Sequence, residues 1–385
     1  MRIGIDATPL PQRPVGAGHY IIQLIRALQR QPGDEEYIIF AQRHSAPLLG
    51  IDETPRFRLH LLTDQSPPRR LLWEQTAFPA LARRLQLDVL HSLHYTLPIA
   101  YRGKRVVTLH DMTFFLYPRL HTLPKRYFFR FFIHLSGRVA DALLADSEST
   151  RQDAMRIAGI PGAKISTTLL GVTPDFRPVS DAAPLAQVRQ KYGLPERYFL
   201  YVGLIEPRKN VPALLQAFAS IANALPQYQL VITGRKGWMV EQVGQELQRL
   251  GIQERVHFTG YVDQPDLPLV YNMADVSVYP SFYEGFGLPV LEAMACGTPV
   301  ITTNVSSMPE ITGEAGCLVA PTDTAGLGQA MLRLAESPEE RRRLSEQGLQ
   351  RAAAFTWERT AAQTLAVYRQ VAQAGAGAPR AGAHV

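Results

Sequence analysis

Short apolar runs alternate with longer amphipathic stretches along most of this chain of 385 residues. The runs are rich in β-branched residues and end at glycine, proline or polar positions, which is typical of buried strands. In the longer stretches apolar residues recur every three or four positions, as on one face of a helix. Because strands and helices alternate, the pattern predicts an α/β fold with parallel sheets covered by helices on both faces.

The same pattern gives bounds for each predicted element. The predicted strands are 2–7, 37–41, 56–62, 88–92, 104–110, 141–146, 199–203, 229–234, 256–261, 275–280, 299–303 and 316–319. The predicted helices are 19–30, 71–85, 124–139, 211–222, 267–274, 288–296, 339–354 and 356–373, with a further helix that starts after Ser147. A chain of this length exceeds what one hydrophobic core usually serves, so two domains are expected.

The stretch from Tyr279 to Gly297, YPSFYEGFGLPVLEAMACG, carries the clearest candidate site. A buried strand leads into the loop Glu284–Gly287, and a helix follows with Pro289 in its first turn. The first N–H groups of a helix have no partner within it, and the helix dipole places partial positive charge there, so this arrangement predicts an anion site. Glu292 lies inside the apolar helix, where it either faces water or has a dedicated partner.

The segment EGFGLPVLEAMACGTPVI, with glutamates at positions 284 and 292, resembles the signature of the retaining glycosyltransferases of family 4. The resemblance extends over nearly the whole chain and is sharper in the second half. It implies the GT-B architecture, in which two Rossmann-like domains with parallel sheets face a central cleft. It also implies that Glu284 approaches the hydroxyls of the donor sugar as a catalytic residue and that Glu292 binds the ribose of the nucleotide.

Two basic residues follow the predicted strand 199–203. Arg208 and Lys209 lie near the carboxyl end of that strand, where open α/β sheets bind ligands. Exposed basic pairs are usually only solvated, but this position and the match of Arg-Lys-Asn to the family favour binding of the donor diphosphate. The resemblance adds the backbone of Tyr261 and Val262 for the base, and that of Gly285, Phe286, Gly287 and Leu288 for the diphosphate.

A second glycine loop lies near the N-terminus, between strand 2–7 and helix 19–30. Its Gly-x-Gly does not extend to the dinucleotide-binding fingerprint, because Ile21 stands where the third glycine would fall and no acidic residue ends the next strand. The family resemblance implies that Gly16 and Gly18 close over the donor phosphates or the acceptor.

His110 ends the strand 104–110 and is followed by Asp111. A lone histidine is more often structural, but the carboxyl end of a parallel strand is a ligand position. The His-Asp pair also matches the family, and the resemblance implies that His110 is a second catalytic residue that contacts the donor sugar. His91 and His94 are candidates for the acceptor side.

Composition and motif positions divide the chain into segments. A Rossmann-like acceptor domain is predicted for 1–176 and a Rossmann-like nucleotide-sugar domain for 198–355. A linker rich in proline and alanine is expected at 177–197. Residues 356–373 are predicted to form a helix that crosses back to the first domain, and 374–385, AGAGAPRAGAHV, to be a disordered tail.

Charge is distributed unevenly along the chain. Residues 1–175 hold 22 Lys and Arg against 15 Asp and Glu, a net +7, whereas the remainder holds 18 against 19, a net −1. A basic first half suits anionic lipid, nucleic acid or a phosphate-bearing acceptor, although it can also be ordinary solubility charge. The helix 124–139 interleaves phenylalanines with Lys and Arg, so it is either a core helix or a peripheral membrane contact. No nucleic-acid module is recognisable, and no nucleic-acid partner is expected.

Cys296 and Cys317 are the only cysteines, too few for a disulfide framework or a zinc set, which is typical of a reducing cytoplasm. The chain shows no secretory signal and no apolar run of about 18 residues. We therefore expect a cytoplasmic protein, and the membrane alternative for 124–139 would place it at the inner face of the cytoplasmic membrane. Sugar-nucleotide enzymes often bind a metal through Asp-x-Asp, which does not occur here, and Asp263 and Asp266 have the wrong spacing. No metal or other cofactor is expected.

These features together predict a metal-independent hexosyltransferase that retains the configuration at the anomeric carbon. It would move mannose, or glucose as the second choice, from a nucleoside diphosphate sugar, with GDP-mannose as the first choice. The acceptor would be a hydroxyl of a glycan, a lipid-linked glycan or a small molecule, as in the bacterial mannosyltransferases of polysaccharide biosynthesis that the chain resembles. Two alternatives stay open, namely a sugar-nucleotide epimerase on the same fold and a non-catalytic basic protein that binds membranes or nucleic acid.

Overall fold

The structure is a computed structural model, and it describes residues 1–234 and 240–376. The chain divides into two compact units. The first contains Met1–Gly171 and the C-terminal segment from Thr356, and the second contains Val172–Phe355. The N-terminal segment of the first unit ends at Gly171, and the predicted domain boundary at residue 176 stays a prediction. Of the predicted tail 374–385, residues 377–385 lie outside the described residues.

The first unit is built on a seven-stranded sheet of parallel strands. The strands are β1 (Arg2–Asp6), β2 (Glu36–Gln42), β3 (Phe57–Leu62), β4 (Val89–Ser92), β5 (Lys104–Leu109), β6 (Ala142–Ala145) and β7 (Ile165–Thr167). Their order is β3-β2-β1-β4-β5-β6-β7, with every neighbouring pair parallel. The chain winds outward from β1 to one side and from β4 to the other, so the carboxyl ends of β1 and β4 flank the point where such sheets bind ligands.

Seven helices pack around this sheet before the chain leaves the unit. They are α1 (Ala17–Arg30), α2 (Ala46–Leu49), α3 (Pro67–Gln75), α4 (Ala77–Arg84), α5 (Thr113–Leu116), α6 (Leu123–Val139) and α7 (Glu148–Ala158). The prediction of one helix over 71–85 is wrong, because the chain breaks at Thr76 into α3 and α4. Pro79 has no N–H for the carbonyl of Gln75, and its ring crowds that carbonyl, so a single helix cannot continue through this point.

The second unit repeats this winding on a six-stranded parallel sheet. Its strands are β8 (Arg197–Val202), β9 (Tyr228–Thr233), β10 (Val256–Gly260), β11 (Val276–Tyr279), β12 (Val300–Thr303) and β13 (Gly316–Val319). The order β10-β9-β8-β11-β12-β13 places the ligand-binding point at the carboxyl ends of β8 and β11. The predicted α/β architecture with two Rossmann-like parallel sheets is confirmed.

Within the described residues 172–234 and 240–355, eight helices belong to the second unit, and a ninth ends the described chain. They are α8 (Ala182–Tyr192), α9 (Val211–Ile221), α10 (Val240–Leu250), α11 (Leu267–Met273), α12 (Leu288–Ala295), α13 (Met308–Thr312), α14 (Thr324–Glu336), α15 (Pro338–Ala352) and, in the first unit, α16 (Trp357–Ala376). Short 3₁₀ turns occur at Pro118–Leu120, Gly162–Lys164, Pro207–Lys209 and Gln253–Arg255.

The segment predicted as a linker, 177–197, contains helix α8 and is therefore not a plain hinge. The side chain of Asp181 caps this helix by accepting a hydrogen bond from the N–H of Ala183 at 3.0 Å. Gly193 ends it in the left-handed conformation with φ of +62°. Both are recognised helix start and stop signals, and they outweigh the proline and alanine content that favoured a hinge.

Helix α16 packs against α1 and is tied to the core of the first unit by a buried polar contact. His91 Nδ1 lies 2.6 Å from the hydroxyl of Tyr368, and His91 Nε2 lies 2.8 Å from Thr108 Oγ1. His91 is completely buried, and burial lowers its pKa to about 3. The ring is therefore neutral at pH 7, and it joins α16 to β4 and β5 through hydrogen bonds.

The pH dependence of stability should reflect this neutral histidine. Between the ordinary pKa of 6.5 and the folded value of about 3, the unfolded chain binds a proton at His91 that the folded protein does not bind. Stability therefore falls as the pH is lowered through this range. We predict that a His91→Gln variant loses less stability than the wild type between pH 6.5 and about 4, by up to about 1.4 kcal/mol per pH unit.

Urea unfolding at a series of pH values measures this difference. The control is Tyr368→Phe, which removes the hydroxyl partner but keeps the titrating ring, so its pH dependence should follow the wild type. If His91→Gln also follows the wild type, the neutral-histidine account is wrong.

Candidate functional site

The carboxyl ends of β8 and β11 bring together the charged residues predicted in the second half of the chain. After β8 the 3₁₀ turn Pro207–Lys209 places Arg208 and Lys209 beside the loop that follows β11. That loop contains Glu284, and its Phe282 N–H donates to the carbonyl of Arg208 at 2.9 Å. The three predicted residues therefore lie at the point of the sheet where α/β folds bind ligands.

Glu284 is 7% exposed, and both of its carboxylate oxygens have partners. Oε2 accepts a hydrogen bond from Arg208 Nη1 at 2.6 Å, and Oε1 accepts one from Lys209 Nζ at 2.7 Å. Ser281 Oγ and the Tyr279 hydroxyl also donate to Oε1, at 2.6 and 3.2 Å. A buried carboxylate needs such partners, because leaving it unpaired costs several kcal/mol.

The two cations have different surroundings. Arg208 Nη1 also donates to the Tyr283 carbonyl at 2.8 Å, and Arg208 Nη2 donates to Glu206 Oε1 at 2.6 Å. Lys209 is buried, donates to the hydroxyl of Tyr279 and lies 4.9 Å from the centre of that ring. We name four side chains the ion cluster: Glu206, Arg208, Lys209 and Glu284. Their two positive and two negative formal charges cancel.

Burial and neighbouring charge act in opposite directions on this cluster. Burial alone would raise the pKa of Glu284, but Arg208 and Lys209 outweigh it and lower that pKa to about 2. Burial and the Arg208 cation lower the pKa of Lys209 from 10.5, while Glu284 opposes them. Glu284 is therefore an anion at neutral pH and a very weak base. It can orient hydroxyl groups, but it accepts a proton poorly.

Helix α12 begins at Leu288, directly after the glycine loop, as the pattern predicted. Gly287 caps it with φ of +112°, and a Cβ at this position would lie 2.3 Å from Met308 Cε. Glycine is thus required both by conformation and by space. Phe286 and Gly285 are buried, so this loop offers a ligand mainly backbone groups. Binding of a diphosphate by them stays a prediction.

Three polar residues outside the predicted set hold this loop. Ser306 Oγ accepts the N–H of Glu284 at 3.0 Å, and Ser307 Oγ lies 3.0 and 2.5 Å from the carbonyls of Glu284 and Phe286, to which it donates. Asn210 Nδ2 donates to the carbonyl of Pro280, directly after β11, at 3.2 Å. The Arg-Lys-Asn motif contained a signal for Asn210. The sequence contained no signal for Ser306 and Ser307, because they lie in the segment after β12, outside the glycine-loop motif.

Glu292 lies further along α12, and its carboxylate is half-buried. It accepts one hydrogen bond, from the hydroxyl of Tyr271 at 3.1 Å. Its other oxygen has no protein partner within residues 1–234 and 240–376. Burial raises its pKa to about 7. Glu292 therefore has one protein partner, Tyr271, and is also partly exposed to water, so each of the two predicted alternatives holds in part. Its contact with a ribose stays a prediction.

Tyr261 and Val262 follow β10 at the same edge of the sheet. Tyr261 is 50% exposed, whereas Val262 is 4% exposed. Next to them, Asp263 and Asp266 bond to Lys191 Nζ of α8 at 2.8 and 2.7 Å, so α8 braces this segment. In the described parts of the chain no three His, Cys, Asp or Glu side chains form a group that could hold a metal ion. Contact of the Tyr261 and Val262 backbone with the base of the nucleotide stays a prediction.

In the first unit the N-terminal glycine loop leads from β1 into α1. Gly16 is exposed and caps α1 with φ of +48°. The helix begins at Ala17, earlier than the predicted His19. Gly18 lies in the first turn, where a Cβ would come within 2.9 Å of Pro14 Cβ. The two glycines thus have structural reasons of their own, and their contact with phosphates or acceptor stays a prediction.

His110 follows β5 and is buried, with both ring nitrogens bonded. Nδ1 lies 2.8 Å from Asp146 Oδ2, and Nε2 lies 2.8 Å from the Leu93 carbonyl. Because a carbonyl only accepts, Nε2 carries a proton. Burial alone would lower the pKa of His110, but Asp146 outweighs it and raises that pKa above 6.5, while burial raises the pKa of Asp146. Contact of this ring with a sugar stays a prediction, and it would use the ring edge or the backbone.

The two acceptor-side histidines differ. His91 belongs to the core, where its contacts are with α16 and β5. His94 is half-buried, with its ring 5.6 Å from that of His110 and 5.7 Å from that of Phe129. Burial lowers the pKa of His94 to about 3. His94 is therefore a neutral group beside His110.

A buried charge cluster at the carboxyl end of β1 was not predicted. Arg70 Nη1 lies 2.7 Å from Glu74 Oε2 and 3.9 Å from Asp6 Oδ2. Burial raises the pKa of Glu74 to about 7 and also raises that of Asp6. Two carboxylates thus share one guanidinium at the ligand-binding point of the first sheet. The only sequence signal was the Asp that ends the first strand.

Helix α6 divides between the core and the surface. Phe132 and Ile133 are buried in the first unit. The exposed stripe consists of Leu123, Tyr127 and Phe131, which are 63%, 63% and 57% exposed. The helix therefore has a core face, as the core alternative for 124–139 predicted, and an exposed aromatic face, whose contact with a membrane stays a prediction. Across the described ranges, no helix combines the length and apolar character needed to cross a membrane.

Two Rossmann-like units and an ion cluster at the carboxyl edge of the second sheet define a class, the glycosyltransferases of the GT-B fold. The sequence profile of Glycosyltransferase Family 4 matches residues 14–176, and that of Glycosyl transferases group 1 matches residues 186–351. The chain belongs to this family of glycosyltransferases, which confirms the resemblance.

Individual relatives agree with this assignment. The chain is 33% identical to O-antigen chain mannosyltransferase B of Escherichia coli, over 96% of this chain and 100% of the relative. It is 31% identical to the serotype-specific mannosyltransferase WbdA of Escherichia coli, over 58% of this chain but only 28% of that protein. Sucrose-phosphate synthase from Thermosynechococcus elongatus has the same fold, with a TM-score of 0.78 and 25% identity over 97% of this chain and 100% of that structure.

Proposed function

We propose that this protein is a retaining mannosyltransferase that transfers mannose from GDP-mannose to a hydroxyl of a polysaccharide or lipid-linked glycan, as in O-antigen biosynthesis. The ion cluster carries the proposal, because it places two cations beside the N-terminus of α12, where the diphosphate of a sugar nucleotide fits. The full-length similarity to an O-antigen chain mannosyltransferase supports mannose, with glucose as the second choice. A small-molecule acceptor is the alternative to a glycan.

The chemistry follows from the charges. When the bond between sugar and diphosphate breaks, negative charge develops on the leaving group. Arg208 and Lys209, with the N–H groups from Gly285 to Leu288, would stabilise it. Glu284 is too weak a base to deprotonate the acceptor, so it orients sugar hydroxyls. The departing phosphate takes the acceptor proton on the same face, which gives retention.

Nucleotide binding should need no metal. Arg208 and Lys209 supply the positive charge that Mg²⁺ supplies in enzymes with an Asp-x-Asp pair. We predict that calorimetric titration in EDTA gives saturable binding of GDP, with UDP and ADP weaker. Tighter binding of UDP or ADP than of GDP would change the proposed donor nucleotide but would still support a nucleotide-binding site. Binding that appears only after Mg²⁺ is added would contradict metal independence.

Substitutions in the ion cluster should reduce transfer while the protein stays folded, although removing one partner of a buried ion pair lowers its stability. Glu284→Gln removes a charge at nearly constant size, and Arg208→Ala removes a cation. Each is expected to lower kcat/KM by roughly a hundredfold, the loss typical of one transition-state group. The measurement is mannosyl transfer, with thermal unfolding of each variant.

A matched control comes from α15 of the same unit. Glu340→Gln removes a carboxylate that bonds to Arg333 at 3.1 Å, and it should keep wild-type activity. Near-normal turnover of either ion-cluster variant would contradict the assignment.

The acceptor is proposed to lie at the inner face of the cytoplasmic membrane. The exposed stripe of α6 can enter the lipid interface, and the basic first half of the chain is attracted to anionic headgroups. A lipid-linked acceptor would be reached from this position.

Membrane attachment should depend on the α6 stripe. We predict that the double variant Tyr127→Ser, Phe131→Ser binds vesicles containing phosphatidylglycerol at least about tenfold more weakly than the wild type, because full burial of a large apolar side chain contributes about 1.5–3 kcal/mol. Sedimentation with vesicles measures it. Leu72→Ser, which removes an apolar side chain that is 64% exposed on α3, should bind normally. Equal binding by the double variant would refute the membrane contact.

A further inference from the structure

Glu206 is the outermost member of the ion cluster. Its side chain is 31% exposed, against 17% for Arg208, 10% for Lys209 and 8% for Glu284. Its Oε1 accepts a hydrogen bond from Arg208 Nη2 at 2.6 Å. The other nitrogen, Nη1, is already held by Glu284 Oε2 and by the Tyr283 carbonyl. Glu206 is therefore a second carboxylate on a guanidinium that a buried carboxylate has already placed.

This second carboxylate changes what the cations offer to an anion. Without Glu206 the cluster would carry a net positive charge, and with it the formal charges cancel. Glu206 also holds Nη2 of Arg208, and it is the most exposed of the four side chains. A diphosphate that approaches Arg208 therefore meets a neutral cluster and a neighbouring negative charge, which weakens its binding.

We propose that Glu206 is a positioning residue that holds Nη2 of Arg208 and lowers the affinity of the site for the nucleoside diphosphate product, so that the product leaves. The inference rests on the proposed function, since it concerns the product of that reaction. A transferase gains from such a carboxylate because its product has the same diphosphate as its donor. A fully cationic site would retain that product after each turnover.

The test compares Glu206→Gln with Glu206→Asp. The Gln variant keeps the size of the side chain and removes the charge, so its Kd for GDP should fall at least about tenfold, which corresponds to about 1.4 kcal/mol. The donor KM should fall with it, and kcat should fall because the product leaves more slowly. The Asp variant keeps the charge, so its Kd should stay within about threefold of the wild type. Calorimetry and steady-state kinetics give these values.

The inference is wrong if Glu206→Gln binds GDP as the wild type does or more weakly, or if the donor KM of that variant is raised. It is also wrong if Glu206→Asp lowers the Kd for GDP as much as Glu206→Gln does. Glu340→Gln is again the control for loss of a carboxylate in the same unit and should bind GDP normally. If GDP does not bind to the wild type, the experiment uses whichever of UDP and ADP does. If the wild type binds none of the three nucleotides, both the proposed function and this inference are wrong. If the wild type binds one of them and Glu206→Gln has the same Kd for it, only the inference is wrong.

Discussion

Charges that are removed from water must be paired, and this requirement organises the edge of the second sheet. Glu284 receives hydrogen bonds from the turn after β8, through Arg208 and Lys209, and from β11 and its loop, through Tyr279 and Ser281. Removing one partner of a buried ion pair typically costs about 3–5 kcal/mol. The two strand ends are therefore fixed in one geometry by the protein itself. A site that needs no reorganisation when charge develops is the kind that stabilises a leaving diphosphate.

The first unit has the same winding but solves the problem of buried polar groups differently. His110 with Asp146, and Arg70 with Asp6 and Glu74, combine burial with raised pKa values, so these groups tend to keep protons. Arg70 stays a cation there, and a raised pKa favours the positively charged ring of His110, whereas raised pKa values favour the uncharged forms of the three carboxyl groups. In the second unit the pKa of Glu284 is lowered instead, so that carboxylate stays charged.

Much of the fold was predictable, because parallel strands and amphipathic helices leave strong periodic signals, and because the strand–glycine loop–helix pattern around Glu284 has a local cause. Contacts between segments that lie far apart in the sequence were not predictable. Glu284 bonds to Arg208 across 76 positions, and no local pattern reports such a pairing. The sequence predicted the two as separate contacts to the donor, whereas the structure makes them partners. Helix α8 was missed although Asp181 and Gly193 marked its ends, because proline and alanine content was read as a hinge.

The ion cluster also constrains where the acceptor proton can go. Glu284 has a pKa of about 2 and both oxygens engaged, so it is a poor acceptor for that proton. Arg208 cannot act as an acid, since a guanidinium does not give up its proton in proteins. If an acid protonated the leaving phosphate oxygen, that oxygen could no longer accept the acceptor proton. In the proposed reaction, a cluster that stabilises the phosphate by charge leaves that oxygen able to take the acceptor proton, which the proposed transfer on the same face of the sugar requires.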